Sequence, residues 1–319
     1  MHENATSVCR RLGVRRIFLF LSAAIAAQSA SAIEIAGDFA PFYTFSDLGA
    51  VPDLPTPYGG LAFLPNDPNT LLIGGQANSA SGILYTIALT RDVDHHITGF
   101  ACTLTPYGSV GEYNDGGVIF GPGNVLFTAR WPVNELGQTR PGSTDEDRID
   151  TLATHGIPGD SSISALKFVP PGFGGAGQLK IVTYNGGSWY TMPFSADGAG
   201  SFDLGTATLD ANIGGGPEGF VYVNGANPGF GVDSILVSEY GAGTVGTYAI
   251  DGNGTPDTGT RRDFITGLSG AEGAAIDPLT GDFLFSTFGS ANHVIVVQGF
   301  TSHDGIFQDG FDVPADICP

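Results

Sequence analysis

The sequence contains few positively charged residues and, after its first 32 residues, no long apolar run. Lysine and arginine together number 12 among 319 residues, against 32 aspartates and glutamates, so the formal charge at pH 7 is −20. A surface this acidic repels phosphate backbones and anionic lipids, which argues against nucleic acid or a membrane surface as the partner. No later stretch approaches the ~20 apolar residues that a membrane-spanning helix requires. The acidity serves solubility alone, or it favours a cationic or neutral ligand.

Residues 1–32 have the pattern of an export signal peptide. Four arginines precede an apolar run from Ile17 to Ala27, and Ala30-Ser31-Ala32 then supplies a small-x-small cleavage site. We expect the mature protein, with 8 basic and 31 acidic residues, to be exported to the periplasm or the extracellular medium. Arg15-Arg16 resembles the start of a twin-arginine signal for folded-state export, whereas an ordinary Sec signal with a basic start is the favoured interpretation.

Cysteine is almost absent. Of the three cysteines, Cys9 lies in the signal peptide, which leaves Cys102 and Cys318 in the mature chain. An even pair in an oxidising compartment predicts a disulfide that holds the C-terminal tail against the body of the protein. Two free, buried thiols are the alternative.

Glycine, in contrast, is abundant. The chain has 49 glycines and 42% hydrophobic residues, while charged residues make up only 14%. Abundant turns between short apolar strands explain both the glycine content and the scarcity of lysine, which strands disfavour. No window places apolar residues at helical spacing between caps, whereas short apolar runs and alternation occur throughout. This pattern predicts an all-β protein.

A short apolar motif recurs five times, at intervals of 57, 48, 55 and 54 residues. Each copy is followed by glycine, proline or asparagine and then by a second apolar strand. A period near 50 residues with several short strands per unit is typical of β-propeller blades. The five copies occupy residues 59–63, 116–120, 164–168, 219–223 and 273–277.

We therefore predict a β-propeller with five blades. Six blades are the alternative, because residues 134–156 are polar and poorly patterned. We interpret them as a long insert in the second unit, although concealed strands there would change the count. The last unit has only three clear strands, and segment 38–49, DFAPFYTFSDLG, resembles an outer strand. This N-terminal strand can complete the last blade and close the ring, so that no sheet edge stays exposed.

The repeat sets the domain boundaries. We assign 33–300 to the propeller and 301–319 to a C-terminal tail. Within the tail, IFQDGFD resembles a short Phe-x-Asp-Gly-Phe-Glu signature at the C-termini of exported bacterial proteins, with Asp312 in place of Glu. That resemblance covers seven residues and implies no chemistry; a role in export or surface display is compatible with it. A plain ordered tail held by Cys318 is equally consistent with the sequence.

Three acidic residues hold matching places in the repeat. Glu218 and Glu272 enter the first strands of units four and five, and Asp115 enters that of unit two. Since first strands line the axis of a propeller, we expect three carboxylates around one channel mouth. Buried like charges must be hydrogen-bonded, protonated or neutralised, and oxygen-rich surroundings suit Ca²⁺ better than Zn²⁺. The alternatives are that the carboxylates cap backbone amides or act in catalysis.

Further polar residues fall at the same predicted mouth, either before a first strand or after a second one. We predict that five of them bind a ligand: Asn114, Arg130, Asn185, Tyr240 and Asn292. His155 and Glu239 are candidate proton acceptors if the mouth is catalytic. The sequence contains no Gly-x-Ser-x-Gly, no His-Glu-x-x-His, no paired Cys-x-x-Cys and no phosphate loop.

The glutamate–glycine pair at the strand entrances resembles the NHL and SMP-30/gluconolactonase-like superfamily of β-propellers. The resemblance covers residues 57–299 as a repeat pattern and implies the fold together with a calcium-dependent lactonase activity in some members. Two departures place that activity in doubt. The Glu-Gly-Pro opening of the lactonases is here Tyr58-Gly59-Gly60, and their Ser-Pro-Asp-Gly turns are missing.

Two functional hypotheses follow. In the first, the protein is a binding or scaffolding propeller that recognises a small molecule, a glycan or a protein at its mouth. In the second, a Ca²⁺ held by Asp115, Glu218 and Glu272 polarises an ester or lactone carbonyl for hydrolysis. We favour the first, because no residue set forms a recognisable nucleophile–base pair.

Overall fold

The apolar runs form β-strands throughout the computed structural model of the chain, which describes residues 32–289 and 291–301. These residues contain no α-helix, and their helical segments are all short 3₁₀ turns. The turns are Pro122–Asn124, Leu152–His155, Gly159–Ser161, Asn185–Gly187 and Thr258–Thr260. None of the helical segments in this part of the chain is long or apolar enough to cross a membrane.

Five antiparallel sheets form the five blades of a propeller, as predicted. Blade 1 consists of β3 (Leu61–Leu64), β4 (Asp67–Gly75), β5 (Ile83–Arg91) and β6 (Ile97–Pro106). Blade 2 consists of β7 (Asn114–Phe120), β8 (Leu126–Arg130), β9 (Glu135–Thr139) and β10 (Arg148–Thr151). Blade 3 consists of β11 (Ile163–Phe168), β12 (Leu179–Thr183), β13 (Ser188–Met192) and β16 (Thr208–Asn212). A separate hairpin, β14 (Phe194–Ala196) with β15 (Phe202–Leu204), interrupts blade 3 before its last strand.

The N-terminal segment joins the last two blades. Blade 4 consists of β17 (Pro217–Val223), β18 (Ser234–Glu239), β19 (Thr244–Ala249) and β20 (Arg262–Thr266), with β1 (Glu34–Ile35) added at its outer edge. Blade 5 consists of β21 (Ala271–Ile276), β22 (Phe283–Thr287), β23 (Val294–Gln298) and β2 (Thr44–Asp47). Strand β2 pairs with β23 from Thr44 opposite Gln298 to Asp47 opposite Ile295, which confirms the predicted ring closure.

The interpretation of residues 134–156 as a long insert is wrong. They contain β9 and β10, the third and fourth strands of blade 2, so the second unit is complete and no sixth blade arises. Most of their buried side chains are polar: β9 buries Gln138 and Thr139 beside Leu136, and β10 buries only Asp150. Gln138 Nε2 donates to Asp150 Oδ2 at 3.2 Å and to Phe202 O at 2.8 Å. A search for apolar runs therefore misses them.

The apolar core lies between neighbouring blades rather than inside any one of them. There are five clusters among the described residues, one for each interface around the ring. In β4, Leu71 and Ile73 pack towards blade 5, while Leu72 between them packs towards blade 2. Both faces of such a strand are buried, so its sequence is a continuous apolar run without alternation.

Glycines let the first strands meet at the axis. A Cβ atom on Gly116 of β7 would lie only 1.5 Å from the Glu218 carbonyl oxygen of β17, and one on Gly273 of β21 would lie 2.5 Å from Gly60 Cα. Only a residue without a side chain allows backbones to approach this closely. The first strands therefore contact one another through their backbones near the axis.

Two predictions concern residues that the structure does not describe. The structure does not describe residues 1–31, which are all of the predicted signal peptide except Ala32. It also does not describe residues 302–319, which contain the C-terminal signature and Cys318. The Cys102–Cys318 disulfide, the export route and the role of the tail therefore stay predictions.

Candidate functional site at the propeller mouth

The mouth is the end of the axis at which the first strands begin. The first strands of blades 2, 3, 4 and 5 each have a register shift near their start. The residues inside these shifts include Asp115, Ser164, Glu218 and Glu272. Three of these four residues carry a carboxylate, so the repeat brings together residues that lie up to 157 positions apart in the chain.

The three carboxylates meet as the sequence predicts. Asp115, Glu218 and Glu272 each contribute an oxygen to a group whose members lie within 4.8 Å of one another. The residues are 0%, 6% and 1% exposed, respectively. One oxygen of each is buried without a hydrogen-bond partner among the described residues: Asp115 Oδ2, Glu218 Oε2 and Glu272 Oε1. Three buried, partly unsatisfied acidic groups at one point are costly unless something else neutralises them.

Burial also shifts the titration of these groups. It raises the pKa of Asp115 to about 7, even though hydrogen bonds, including one from the Gly116 amide, act in the opposite direction. It raises the pKa of Glu218 and of Glu272 well above the ordinary range, and the negative charge of Asp115 adds to both shifts. The pocket thus favours a bound proton or another cation over three free charges.

Hydrogen bonding around the cluster is sparse. The side-chain amide of Asn78, with its nitrogen turned towards the cluster, donates to Asp115 Oδ1 at 2.9 Å. No backbone amide in the described part of the chain donates to the side chain of Glu218 or Glu272. Ser164, at the equivalent place in blade 3, donates instead to Pro217 O at 2.6 Å and so ties blade 3 to blade 4. The capping role considered for the two glutamates has no such contact to support it.

Four aromatic rings stand around the carboxylates. Each is the first residue after the second strand of its blade, and each is half-buried. Consecutive rings meet edge to face, with centroid distances of 6.3, 6.1 and 5.9 Å. We call this row the aromatic arc, and it consists of Trp131, Tyr184, Tyr240 and Phe288. Blade 1 has Gln76 at the corresponding place and leaves the arc open on that side.

The negative charges of the carboxylates affect the titration of a ring in the aromatic arc. Burial and then the negative charge of Glu218 raise the pKa of Tyr184, with smaller effects from Glu272 and Asp115. The indole nitrogen of Trp131 has no hydrogen-bond partner among the described residues. The aromatic arc thus lies beside the three carboxylates, and one of its members has a buried donor without a partner.

Comparison with known proteins yields similar folds only. No protein-family model and no curated protein matches the chain. A putative gluconolactonase matches 85% of this chain and 100% of its own, with 12% identity and a TM-score of 0.46. A putative 6-phosphogluconolactonase from Bacteroides uniformis matches 80% and 75%, with 12% identity and a TM-score of 0.43. An auxiliary nutrient binding protein from Bacteroides ovatus matches 80% and 76%, with 10% identity and a TM-score of 0.42.

Two of the predicted ligand-binding residues are already engaged by the protein. Asn114 is buried, and its Nδ2 donates to Gly75 O and Gly111 O. Arg130 is 3% exposed, and each of its three guanidinium nitrogens contacts a different carboxylate. These partners are Glu112, Glu135 and Glu146. The mouth position of Arg130 was predictable from the repeat, but its pairing was not.

The other three predicted ligand-binding residues are accessible at the mouth. Tyr240 belongs to the aromatic arc. Asn185 is exposed, and its Nδ2 donates to Asp160 O at 3.0 Å. Asn292 is half-buried; its Oδ1 accepts a hydrogen bond from Tyr58 N at 3.2 Å, and its Nδ2 donates to Gly289 O.

The two candidate proton acceptors are engaged by residues other than the three carboxylates. His155 Nδ1 lies 3.0 Å from Gly205 O, and its other ring nitrogen faces Asp150 of β10, the outermost strand of blade 2. Glu239 is completely buried and receives hydrogen bonds from Thr244, Tyr248 and Arg261. Neither residue contacts the three carboxylates in the hydrogen bonds and ion pairs of the described chain.

The sequence analysis missed Asn78 and Phe288. Asn78 follows a strand with no marker that would single it out. Phe288 carried a signal, since units four and five end their second strands with Ser-Glu-Tyr-Gly and Ser-Thr-Phe-Gly, so that Phe288 corresponds to Tyr240. Alignment of that single position across the blades would have revealed the arc.

Proposed function

We propose that the protein is a binding propeller that holds a divalent cation, with Ca²⁺ preferred, on Asp115, Glu218 and Glu272. The cation and the aromatic arc together form the recognition surface for a small molecule or glycan. The observation that carries this proposal is the cluster of three buried carboxylates, each with an oxygen that no described group satisfies.

The spacing of the carboxylates supports a cation of the size of Ca²⁺. Three oxygens within 4.8 Å of one another share a centre at most about 2.8 Å from each, close to Ca²⁺–oxygen distances of about 2.3–2.6 Å. Three protein oxygens are also fewer than the roughly six to eight that Ca²⁺ takes. Positions on the cation are thereby left for water or for oxygen atoms of a ligand.

The aromatic arc supports a ligand with a flat or weakly polar face. Aromatic rings pack against such a face, and the exposed side chain of Asn185 adds a hydrogen-bonding group beside the arc. A glycan ring combines an apolar face with oxygen atoms that can complete the coordination of Ca²⁺. The protein's strong negative charge fits the attraction of a cation to this surface.

Calcium should stabilise the protein measurably. After removal of metal with EDTA, addition of Ca²⁺ to 100 times its Kd should raise the free energy of unfolding by about 2.7 kcal/mol. The measurement is the Tm and the urea midpoint with and without Ca²⁺, with Mg²⁺ as the comparison ion. Calorimetric titration with Ca²⁺ gives the Kd directly.

A matched variant at the same place in the ring controls this experiment. Ser164→Ala removes a hydrogen bond between blades and should cost about 1 kcal/mol, yet it should leave the response to Ca²⁺ unchanged. Glu272→Gln should abolish that response. If wild type and Glu272→Gln respond alike, the cation does not bind at the mouth and the proposal fails.

A calcium-dependent lactonase or esterase is the alternative function. It needs a proton acceptor beside the cation, whereas His155 contacts Gly205 and Glu239 is fully hydrogen-bonded. The geometry therefore favours binding. A panel of lactones and aryl esters assayed with Ca²⁺ separates the two functions, since calcium-dependent turnover that is lost in Glu272→Gln would replace binding by hydrolysis.

A further inference from the structure

A second concave site lies at the other end of the axis, where the first strands end. Its volume is about 350 Å³, which is within the range of small-ligand pockets. Residues from the first strands of four blades line it, and most of them are apolar. They include Phe63, Leu64, Ile119, Phe120, Ala275 and Ile276. None of the proposed mouth residues contributes to it.

One cationic side chain enters this apolar cavity. Lys167, in the first strand of blade 3, lines the cavity and is 8% exposed. In the described part of the chain its Nζ has no hydrogen bond and no carboxylate within 4.0 Å. Asp67 also lines the cavity, but its oxygens accept hydrogen bonds from Asn69 N and Thr70 Oγ1. A lysine that is more than nine-tenths buried as a residue and whose amine has no partner is rare, because burying a charge is costly unless it is paired.

The other lysine shows what a structural role looks like in the same sheet. The chain has only two lysines, and Lys180 lies directly across from Lys167 on the neighbouring strand. Lys180 Nζ donates to Thr191 Oγ1 at 2.5 Å and to Thr255 Oγ1 at 3.2 Å, and lies 3.3 Å from a carboxylate oxygen of Asp210. Every feature that fixes the Lys180 ammonium is missing at Lys167.

Burial changes the chemistry of the unpaired amine. It lowers the pKa of Lys167 to about 7. At pH 7 about half of such an amine is uncharged, roughly 10³ times the fraction of an ordinary lysine. An uncharged amine in an apolar pocket is a nucleophile.

We propose that this cavity binds an apolar aldehyde and that Lys167 holds it covalently as an imine. The Nζ lone pair attacks the carbonyl carbon and forms the C–N bond. The carbonyl oxygen takes up protons and leaves as water, and the nitrogen loses its hydrogens to give the C=N bond. The step is redox-neutral and needs no co-reactant.

The walls of the cavity favour a carbonyl compound over a carboxylate. A carboxylate would form an ion pair with Lys167, and a buried ion pair is stable only if further hydrogen bonds satisfy its oxygens. The two asparagines in the lining, Asn66 and Asn124, lie at exposed positions on its rim. An apolar aldehyde loses little hydration on entry and requires no second partner.

Reductive trapping tests this assignment on the folded protein. Hexanal with cyanoborohydride at pH 7 should add one hexyl group to Lys167, located by peptide mapping, while Lys180 stays unmodified. The expected rate at Lys167 is up to about 10³ times that of either lysine in urea-unfolded protein, where both should react slowly and equally. Lys167→Arg keeps the charge and should abolish the adduct, and Lys167→Met should do the same.

The chain offers an internal reference, because its α-amino group reacts with aldehydes in any state. Modification of the α-amino group without modification of Lys167 would overturn the assignment. A result in which hexanoate binds at Lys167 while hexanal forms no adduct would also overturn the assignment, because it would identify a carboxylate site. Trapping should proceed equally with EDTA and with Ca²⁺, which separates this site from the proposed cation site at the mouth.

Discussion

Removal of residues 33–47 should deprive the protein of most of its stability. The deletion exposes the backbone edge of β23 and removes Phe39 and Tyr43, which are 0% and 2% exposed and pack with Phe230 and Phe264 between blades 4 and 5. Loss of one buried aromatic side chain typically costs about 3–5 kcal/mol, against a total stability of about 5–15 kcal/mol. We expect the shortened chain to be largely unfolded or aggregated, as measured by circular dichroism and size-exclusion chromatography.

Point variants separate the aromatic contacts from the strand itself. Phe39→Ala combined with Tyr43→Ala should lower the urea midpoint strongly, whereas Phe42→Ala, at a position that is 50% exposed, should leave it nearly unchanged. A synthetic peptide of residues 33–47 should restore part of the lost structure. A shortened chain with the urea midpoint of the chain that retains residues 33–47 would show that β2 does not hold the ring closed.

Without metal, Glu272→Gln should make the protein more stable rather than less. The substitution replaces a buried carboxyl group, which at pH 7 must carry a charge or hold a proton at a cost, by a neutral group of the same shape. A rise of one in the pKa of a buried carboxyl, counted up to pH 7, lowers the free energy of unfolding at pH 7 by about 1.4 kcal/mol. Urea unfolding in EDTA at pH 7 measures the gain. A loss of stability would instead identify Glu272 as a structural hydrogen-bonding group.

The same shifts set the pH dependence of the metal-free protein. An aspartate in the unfolded chain titrates near pH ~4, and Asp115 in the folded protein titrates at about 7. Between these values the folded state binds more protons, so its stability is complete below pH ~4 and is lost as the pH rises through 7. For Asp115 alone, the free energy of unfolding falls by about 4 kcal/mol over this pH range. Saturating Ca²⁺ should make the stability less dependent on pH. Asp115→Asn should remove the part of the pH dependence that Asp115 contributes.

The repeat explains why the architecture was predictable. One motif, copied at near-constant spacing, fixes both the blade number and the end of the axis at which each residue lies. Asp115, Glu218 and Glu272 could therefore be placed together although no local sequence feature connects them. The strands in residues 134–156 were not predicted, because most of their buried side chains are polar. Gln138, for example, donates a hydrogen bond to Asp150.

What the repeat cannot supply is the partner of each side chain. Arg130 and Glu239 occupy mouth positions, yet the buried ion pairs that engage them depend on residues from other turns, such as Glu146 and Arg261. Lys167 shows the reverse case. Its sequence context, Ala-Leu-Lys-Phe, is that of an ordinary strand, and only the packing of four blades around it reveals an amine without a partner.

Strand β2 also has a consequence for the order of events during synthesis. Thr44 is made early, whereas its partner Gln298 follows about 250 residues later in the chain. Contacts between residues so far apart in sequence form slowly. The ring therefore cannot close before the last blade has been made. Until the last blade arrives, both the first and the newest strand present bare edges to the surrounding solution.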